Sequence, residues 1–246
     1  MEKPENRPLF AVPIMAERPG LALIKAKEAK QKDADLVEYR IDRMKHVNLK
    51  TIINTEIPCI ITNRHPEEDK DSPNYYCENA RLSSLKEAAK LGANYIDIES
   101  KFLKDDFLKY IDREKTKVII SYHNFNETPP AENLHYIYEK IVNQGADIAK
   151  IVTMAKEWDD CIGIIELVRD AKVPIIGINM GVYGKVTRYN KKNYISYCAL
   201  NKDECSASGQ ITLDYMISHF KDLEERHNSK GERIKWKTTG TASSAK

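Results

Sequence analysis

The 246-residue chain predicts an α/β fold, a single (β/α)8 barrel of the TIM type, on three observations. Eight short runs rich in β-branched residues recur at 9–15, 36–42, 59–64, 95–99, 118–123, 149–154, 174–180 and 194–200. Polar segments with apolar residues at helical spacing separate most of them, and strands alternating with helices argue for βαβ units and a parallel sheet. The count and length match a closed barrel of eight such units. The third observation is an absence. An open doubly wound sheet, the alternative, usually carries a glycine-rich first turn, and with ten glycines in all the chain has neither GxGxxG nor GxxxxGK[ST].

Side chains on a strand point to alternate faces, so a period of two sorts each run into an inner and an outer set. In 36–42 one face carries Glu38, Arg40 and Asp42, and the other Val37, Tyr39 and Ile41. In 59–64, Thr62 and Arg64 oppose Ile61; in 95–99, Asp97 and Glu99 oppose Ile96 and Ile98; in 118–123, Ser121 and His123 oppose Ile120 and Tyr122. In 149–154, Lys150 stands among Ile148, Ala149, Ile151 and Val152. The outer face of a barrel must be apolar to pack on helices, which sends the charged face inward. Most of these charges fall late in their strands, at the carboxyl end where barrel active sites form. Helical spacing marks 21–31, 80–91, 132–143, 159–171 and 212–226, while the links after Arg43 and after Arg188 are less clearly helical.

Composition narrows the function classes. Thirty-nine Lys+Arg against 37 Asp+Glu leave a net charge of +2, which lacks the basic excess of a nucleic-acid or membrane-surface binder. Hydrophobic residues at 41% suffice for a core. The longest apolar runs, such as 173–180, fall far short of the ~20 residues of a membrane span, and the first residues hold no signal-peptide core. Five scattered cysteines without a CxxC pair predict reduced thiols in a cytoplasmic protein, and no zinc site. The catalytic domain is expected over 1–226. The segment 227–246 reads as a disordered tail, and the polar stretch 69–79 as a mobile loop.

Taken singly, Asp42 and Glu99 read as salt-bridge residues, and His46, His65, His135, His219 and His227 as structural or surface histidines. Lys150 differs, because apolar neighbours on both sides predict burial rather than a strand-end lysine reaching solvent. Burial lowers a lysine pKa, and a neutral amine is a nucleophile for carbonyls.

Five motifs in order extend this reading: Val37-Glu38-Tyr39-Arg40-Ile41-Asp42; Ile120-Ser121-Tyr122-His123-Asn124-Phe125 with Thr128-Pro129; Gly145-Ala146-Asp147-Ile148-Ala149-Lys150-Ile151; Asn179-Met180-Gly181-Val182-Tyr183-Gly184 with Thr187-Arg188; and Ser206-Ala207-Ser208-Gly209-Gln210. Together they resemble type I 3-dehydroquinate dehydratase from about Phe10 to Phe220. The resemblance implies a (β/α)8 homodimer that acts in the shikimate route to aromatic amino acids, without metal or organic cofactor. It makes Lys150 the Schiff-base lysine, His123 the general acid/base and Glu68 the carboxylate that orients the histidine. Glu38, Arg40 and Arg64 would face substrate hydroxyls, Arg188 the substrate carboxylate, and Ser206 and Gln210 would belong to a lid. A carboxylate partner is expected to raise the histidine pKa, and nearby arginines to depress that of the lysine. The chain departs from the family at Asp69-Lys70, where two glycines are common, at Lys192-Asn193 in place of Gly-Ser, and at Ser208 in place of the lid proline. Two other readings share some of these features: a lysine-dependent aldolase, which the glycine-poor last third disfavours for want of a phosphate loop, and a barrel that only binds quinate-like ligands.

Overall fold

The computed structural model describes residues 2–69, 77–104 and 106–239, with the backbone alone over 228–239. Its elements follow in the order β1 (Leu9–Ile14), α1 (Pro19–Gln31), β2 (Leu36–Arg40), α2 (Leu49–Ile53), β3 (Cys59–Thr62), α3 (Glu78–Lys90), β4 (Tyr95–Glu99) and β5 (Lys117–Asn124). They continue with α4 (Ala131–Asn143), β6 (Ile148–Met154), α5 (Asp160–Asp170), β7 (Ile175–Met180), α6 (Lys185–Arg188), β8 (Ile195–Ala199), β9 (Ile211–Thr212) and α7 (Leu213–Thr239). Each predicted strand coincides with one of β1–β8, and each predicted helix with α1, α3, α4, α5 or α7. The link after Arg43 holds the short helix α2, the short helix α6 ends at Arg188 so that the link after it carries no helix before β8, and a 3-10 turn at Phe107–Tyr110 connects β4 to β5.

All the strand pairings are parallel, and the spatial order is β7-β6-β5-β4-β3-β2-β1-β8-β9. The sheet therefore curls from β7 round to β8. Instead of a closed ladder of eight, a ladder is absent between β7 and β8 among the described residues. There the two edges meet through one backbone bond, Tyr194 N–H to Ile175 O at 2.8 Å. Asn193 reinforces the junction: its side chain accepts from Gly177 N at 2.8 Å and donates to Gly177 O and Thr187 O.

Alternation along the strands builds two cores. The outer one lies between sheet and helices and takes Val37, Tyr39, Ile61, Ile96, Ile98, Ile120 and Ile151 with helix residues such as Leu85, Leu134 and Ile164. The inner one, at the amino-terminal end of the sheet, is a plug of Leu9, Leu36, Ile60, Tyr95, Ile119, Ile148, Ile176 and Ile195. Fully burying each such side chain contributes roughly 1.5–3 kcal/mol. The plug gives the charges above it an apolar floor. Gly177 marks how closely α5 approaches β7, since a Cβ there would lie 2.4 Å from Val168 Cγ2.

Over 227–239, the first part of the segment expected as a tail, the backbone continues α7. Glu, Lys and Arg are good helix formers, and in this stretch they outweigh Gly231. Residues 240–246 lie outside the described residues, as does the 70–76 part of the expected loop, whose last residues, Glu78 and Asn79, open α3. No helix among the described residues is long and apolar enough to cross a membrane.

Candidate active site

One register sets the chemistry. Arg40 pairs with Thr62, Thr62 with Asp97, Glu99 with Ser121, and Ser121 with Lys150. The polar alternation therefore becomes a ring of inward groups directly above the apolar plug. A cavity opens on this ring at the carboxyl end of the sheet, and all nine site residues expected from the sequence line it: Glu38, Arg40, Arg64, Glu68, His123, Lys150, Arg188, Ser206 and Gln210. Val152, Ile178, Met180 and Phe125 supply an apolar wall.

Lys150 rises from the middle of β6 and is 4% exposed. Its Nζ donates to Asp97 Oδ2 at 2.6 Å and to the Tyr197 hydroxyl at 3.1 Å, with Glu38 Oε1 at 3.7 Å. Burial favours the neutral amine, as the sequence suggested, but the Asp97 carboxylate, Tyr197 and Glu38 outweigh it and hold the lysine pKa above its ordinary value. The expectation of an uncharged amine is thus corrected: in the resting site Lys150 is an ammonium. Burial is the largest single influence, and it is the sum of the Asp97, Tyr197 and Glu38 contributions that exceeds it. Asp97 responds in kind: burial pushes its carboxyl up, while Lys150 and Arg64 draw it well below the ordinary range.

His123 stands on the same inner face of β5, two residues above Ser121. Glu68 Oε2 lies 2.9 Å from its Nδ1, off the line of an aligned N–H bond. Burial and the Arg64 cation lower the imidazole pKa below 6.5, and the opposing pull of Glu68 is not enough to reverse them. The expected upward shift is therefore corrected to a downward one. Glu68 itself is held below the usual carboxylate range: burial acts against this, and His123 and Arg64 prevail. Phe125 stacks parallel to the imidazole at 5.8 Å.

The arginines divide into saturated and open. Arg64 Nη1 reaches Glu99 at 3.1 Å, Ser121 at 3.1 Å, and Glu68 and Asp97 at 3.4 Å. Arg40 is braced by Asp42 at 2.8 and 3.0 Å and by Asp69 at 2.6 Å. Arg188, on α6, is 2% exposed, and its guanidinium makes two long bonds to carbonyl oxygens, Tyr197 O at 3.4 Å and Ser208 O at 3.5 Å. Its Nε is buried without a partner among the described residues. Burial pushes its pKa down to about 10, so it remains a cation at neutral pH in a place where the described residues supply no carboxylate. Such a group is an anion site by its own electrostatics.

The loop after β8 closes the remaining side. Ser206 N and Oγ donate to Gln210 Oε1 at 2.7 and 3.1 Å, while Gln210 Nε2 is buried without a partner among the described residues. Gly181 N donates to Ser208 O at 3.2 Å, which ties this loop to the turn after β7. Gly209 adopts φ +75°, and a Cβ there would fall 2.2 Å from Gly181 O, so the crossing admits only glycine.

Asp42 and Glu99 behave as the salt-bridge residues expected; they also accept from the backbone N–H groups of Arg64 (3.1 Å) and His65 (3.0 Å), shaping the exit of β3. Two groups beside the lysine escaped the sequence reading of the site. Asp97 was visible as an inward charge but had no chemical signal of its own. Tyr197 lay in an apolar run where only the period of two marks it as inward. Among the described residues no group of three or more His, Cys, Asp or Glu is arranged to hold a metal ion.

The sequence profile of the family described as Type I 3-dehydroquinase matches residues 10–226. A 3-dehydroquinate dehydratase of Methanocaldococcus jannaschii is 39% identical over 199 residues, covering 78% of this chain and 88% of that protein. The chloroplastic bifunctional 3-dehydroquinate dehydratase/shikimate dehydrogenase of Arabidopsis thaliana is 35% identical over 88% of this chain, which spans only 37% of that longer protein. Among solved structures, a 3-dehydroquinate dehydratase from Geobacillus kaustophilus superposes with a TM-score of 0.81 at 24% identity, covering 89% of this chain and 92% of that one, and shares the fold. A type I 3-dehydroquinate dehydratase from Clostridium difficile, solved with covalent modified comenic acid, superposes at 0.77 with 25% identity over 89% of this chain and 93% of that one. With the profile spanning nearly all of the folded residues, the chain belongs to the type I 3-dehydroquinase family.

Proposed function

We propose that this protein dehydrates 3-dehydroquinate to 3-dehydroshikimate in the shikimate route, through an imine on Lys150 and a same-face elimination. One observation carries the reading: a buried lysine, a buried imidazole and a buried arginine with no carboxylate partner among the described residues share one cavity. A ketone that also bears a carboxylate needs all three.

Lys150 starts as an ammonium, so its proton must leave before attack; the uncharged imidazole of His123 and the nearby Glu38 are the bases at hand. The amine lone pair then adds to the ketone carbon, and the carbinolamine hydroxyl departs as water with the proton that the base returns, leaving an iminium and that base unprotonated again. That cation is an electron sink for the adjacent C–H bond. His123, whose Nδ1 faces Glu68, takes the α-proton and leaves an enamine. The enamine electrons expel the β-hydroxyl, which accepts the proton back from His123 and departs as water. Water adding to the conjugated imine frees the enone and restores the amine. Asp97 stabilises the cationic nitrogen at both ends of this sequence. Arg188 binds the carboxylate, Glu38, Arg40 and Arg64 face the ring hydroxyls, and Ser206 and Gln210 close over the ligand. We also propose that the curled sheet is a closed (β/α)8 barrel over 1–226, and that the chain works as a homodimer in the cytoplasm, where its free thiols would persist.

Borohydride added to protein and 3-dehydroquinate is expected to place one reduced ligand mass on the peptide containing Lys150, alongside ultraviolet absorbance of the enone in its absence. A label elsewhere, or turnover surviving Lys150→Ala, overturns the reading.

A further inference from the structure

Asp69 stands where glycine is common in the family, and it is engaged on both carboxylate oxygens. Oδ2 accepts from Arg40 Nη2 at 2.6 Å, and Oδ1 is ion-paired with Arg43 Nη2. Both arginines come from the end of β2 and the 3-10 turn Ile41–Arg43, where the fully buried Asp42 braces Arg40 from beneath. Asp69 itself belongs to the segment between β3 and α3. Its N–H and that of Glu68 both donate to His65 O, at 3.1 and 2.9 Å. These bonds form a single tight turn from which the two consecutive carboxylates diverge. Asp69 reaches toward β2, whereas Glu68 reaches His123 at 2.9 Å and Arg64 at 3.4 Å. Among the described residues the Glu68 carboxylate is thus held by one contact off the hydrogen-bond line and one long ion pair, while the shorter ion pairs fall on its neighbour.

We infer that Asp69 is a positioning residue for the acid–base pair: clamped on Arg40 and Arg43, it holds the turn that sets Glu68 against His123. A glycine at this position cannot make the clamp. The clamp rests on the reading of His123 as the acid–base group, but it can be measured without turnover. Among the described residues, the charged groups facing His123 are Glu68 from the turn, Arg64 from the end of β3, Asp97 from β4 and Lys150 from β6. Of these, Glu68 pulls the imidazole pKa up, so a retreat of Glu68 lowers it.

The test is an NMR titration of His123 in the ligand-free full-length protein, comparing wild type with Asp69→Asn and Arg43→Gln. Steady-state kinetics with 3-dehydroquinate accompany it. The clamp requires the His123 pKa to fall by about half a unit or more in both variants. It also requires kcat to drop about tenfold or more, as expected for a misplaced acid–base group, with KM within about threefold. Arg43→Gln separates the clamp from simple charge: removing a cation would by itself raise the pKa, whereas loosening Glu68 lowers it. An unchanged or raised His123 pKa in Arg43→Gln, or an unchanged one in Asp69→Asn, overturns the inference. A wild-type protein that does not turn over 3-dehydroquinate sinks the proposed function instead, and the titration then decides the clamp by itself.

Discussion

At the scale of the residue, the informative finding is a charge state. Apolar neighbours along β6 identify Lys150 as buried, but they lie next to it in sequence, and what decides its protonation comes from other strands: Asp97 on β4 and Tyr197 on β8. Sequence reasoning therefore finds the lysine and misjudges its proton. The same holds for His123, whose carboxylate neighbour is outweighed by burial and by Arg64. The consequence for pH is definite. A base must be neutral to accept a proton, and a pKa held below 6.5 leaves His123 neutral at pH 7. The acid limb of kcat/KM, which reports the ligand-free protein, is expected below 6.5, with activity lost as pH falls through it; a limb above 6.5 in that profile would contradict the assignment. Arg188→Ala is expected to raise KM for 3-dehydroquinate by about 10- to 100-fold, the scale of a lost charge-assisted pair. An unchanged KM would remove Arg188 as the carboxylate contact.

At the scale of the element, strands and long helices were legible because their periods repeat often enough to be read. Helices α2 and α6, of five and four residues, complete too few turns for a periodic signal, and β9, of two residues, has none. The seam between β7 and β8 was invisible for a different reason: Asn193 reads as an ordinary loop residue until the fold brings Gly177 and Thr187 to its amide. Asn193→Ala leaves the Gly177 N–H without that acceptor in the interior. A loss of roughly 1–3 kcal/mol is expected in urea denaturation, and a value near zero would show that the seam does not depend on it. In the loop after β8, Gly209→Ala places a Cβ against Gly181 O at a positive φ. Weakened substrate binding, with a small effect on global unfolding, is the expected result, measured by ligand titration and melting.

At the scale of the whole molecule, the charged ring over an apolar plug links activity to stability. Glu68, Asp69 and Asp97 all have pKa values below their ordinary 4.5, 3.8 and 3.8, and His123 lies below 6.5. Groups depressed on folding stabilise the native state above their unfolded pKa and lose that contribution as pH falls. Denaturant midpoints are therefore expected to decline from near pH 6.5 downward and more steeply below about 4.5, with a slope of about 1.4 kcal/mol per pH unit for each proton taken up on unfolding. Lys150, raised on folding, acts in the opposite range: its contribution is complete below 10.5 and is lost only at higher pH. A midpoint flat between pH 7 and 4 would mean that the ring is not coupled to folding. The order of strands and helices, the inward direction of the charges and the motifs around Lys150, His123 and Arg188 were determined by the sequence itself, because periodicity and local spacing are properties of neighbouring residues. The direction of the pKa shifts at Lys150 and His123, the lack of a carboxylate partner for Arg188 among the described residues and the ion pairs of Asp69 were decided by the tertiary structure, because electrostatic energy depends on distance in space, and only the curled sheet brings these groups within a few ångströms of one another.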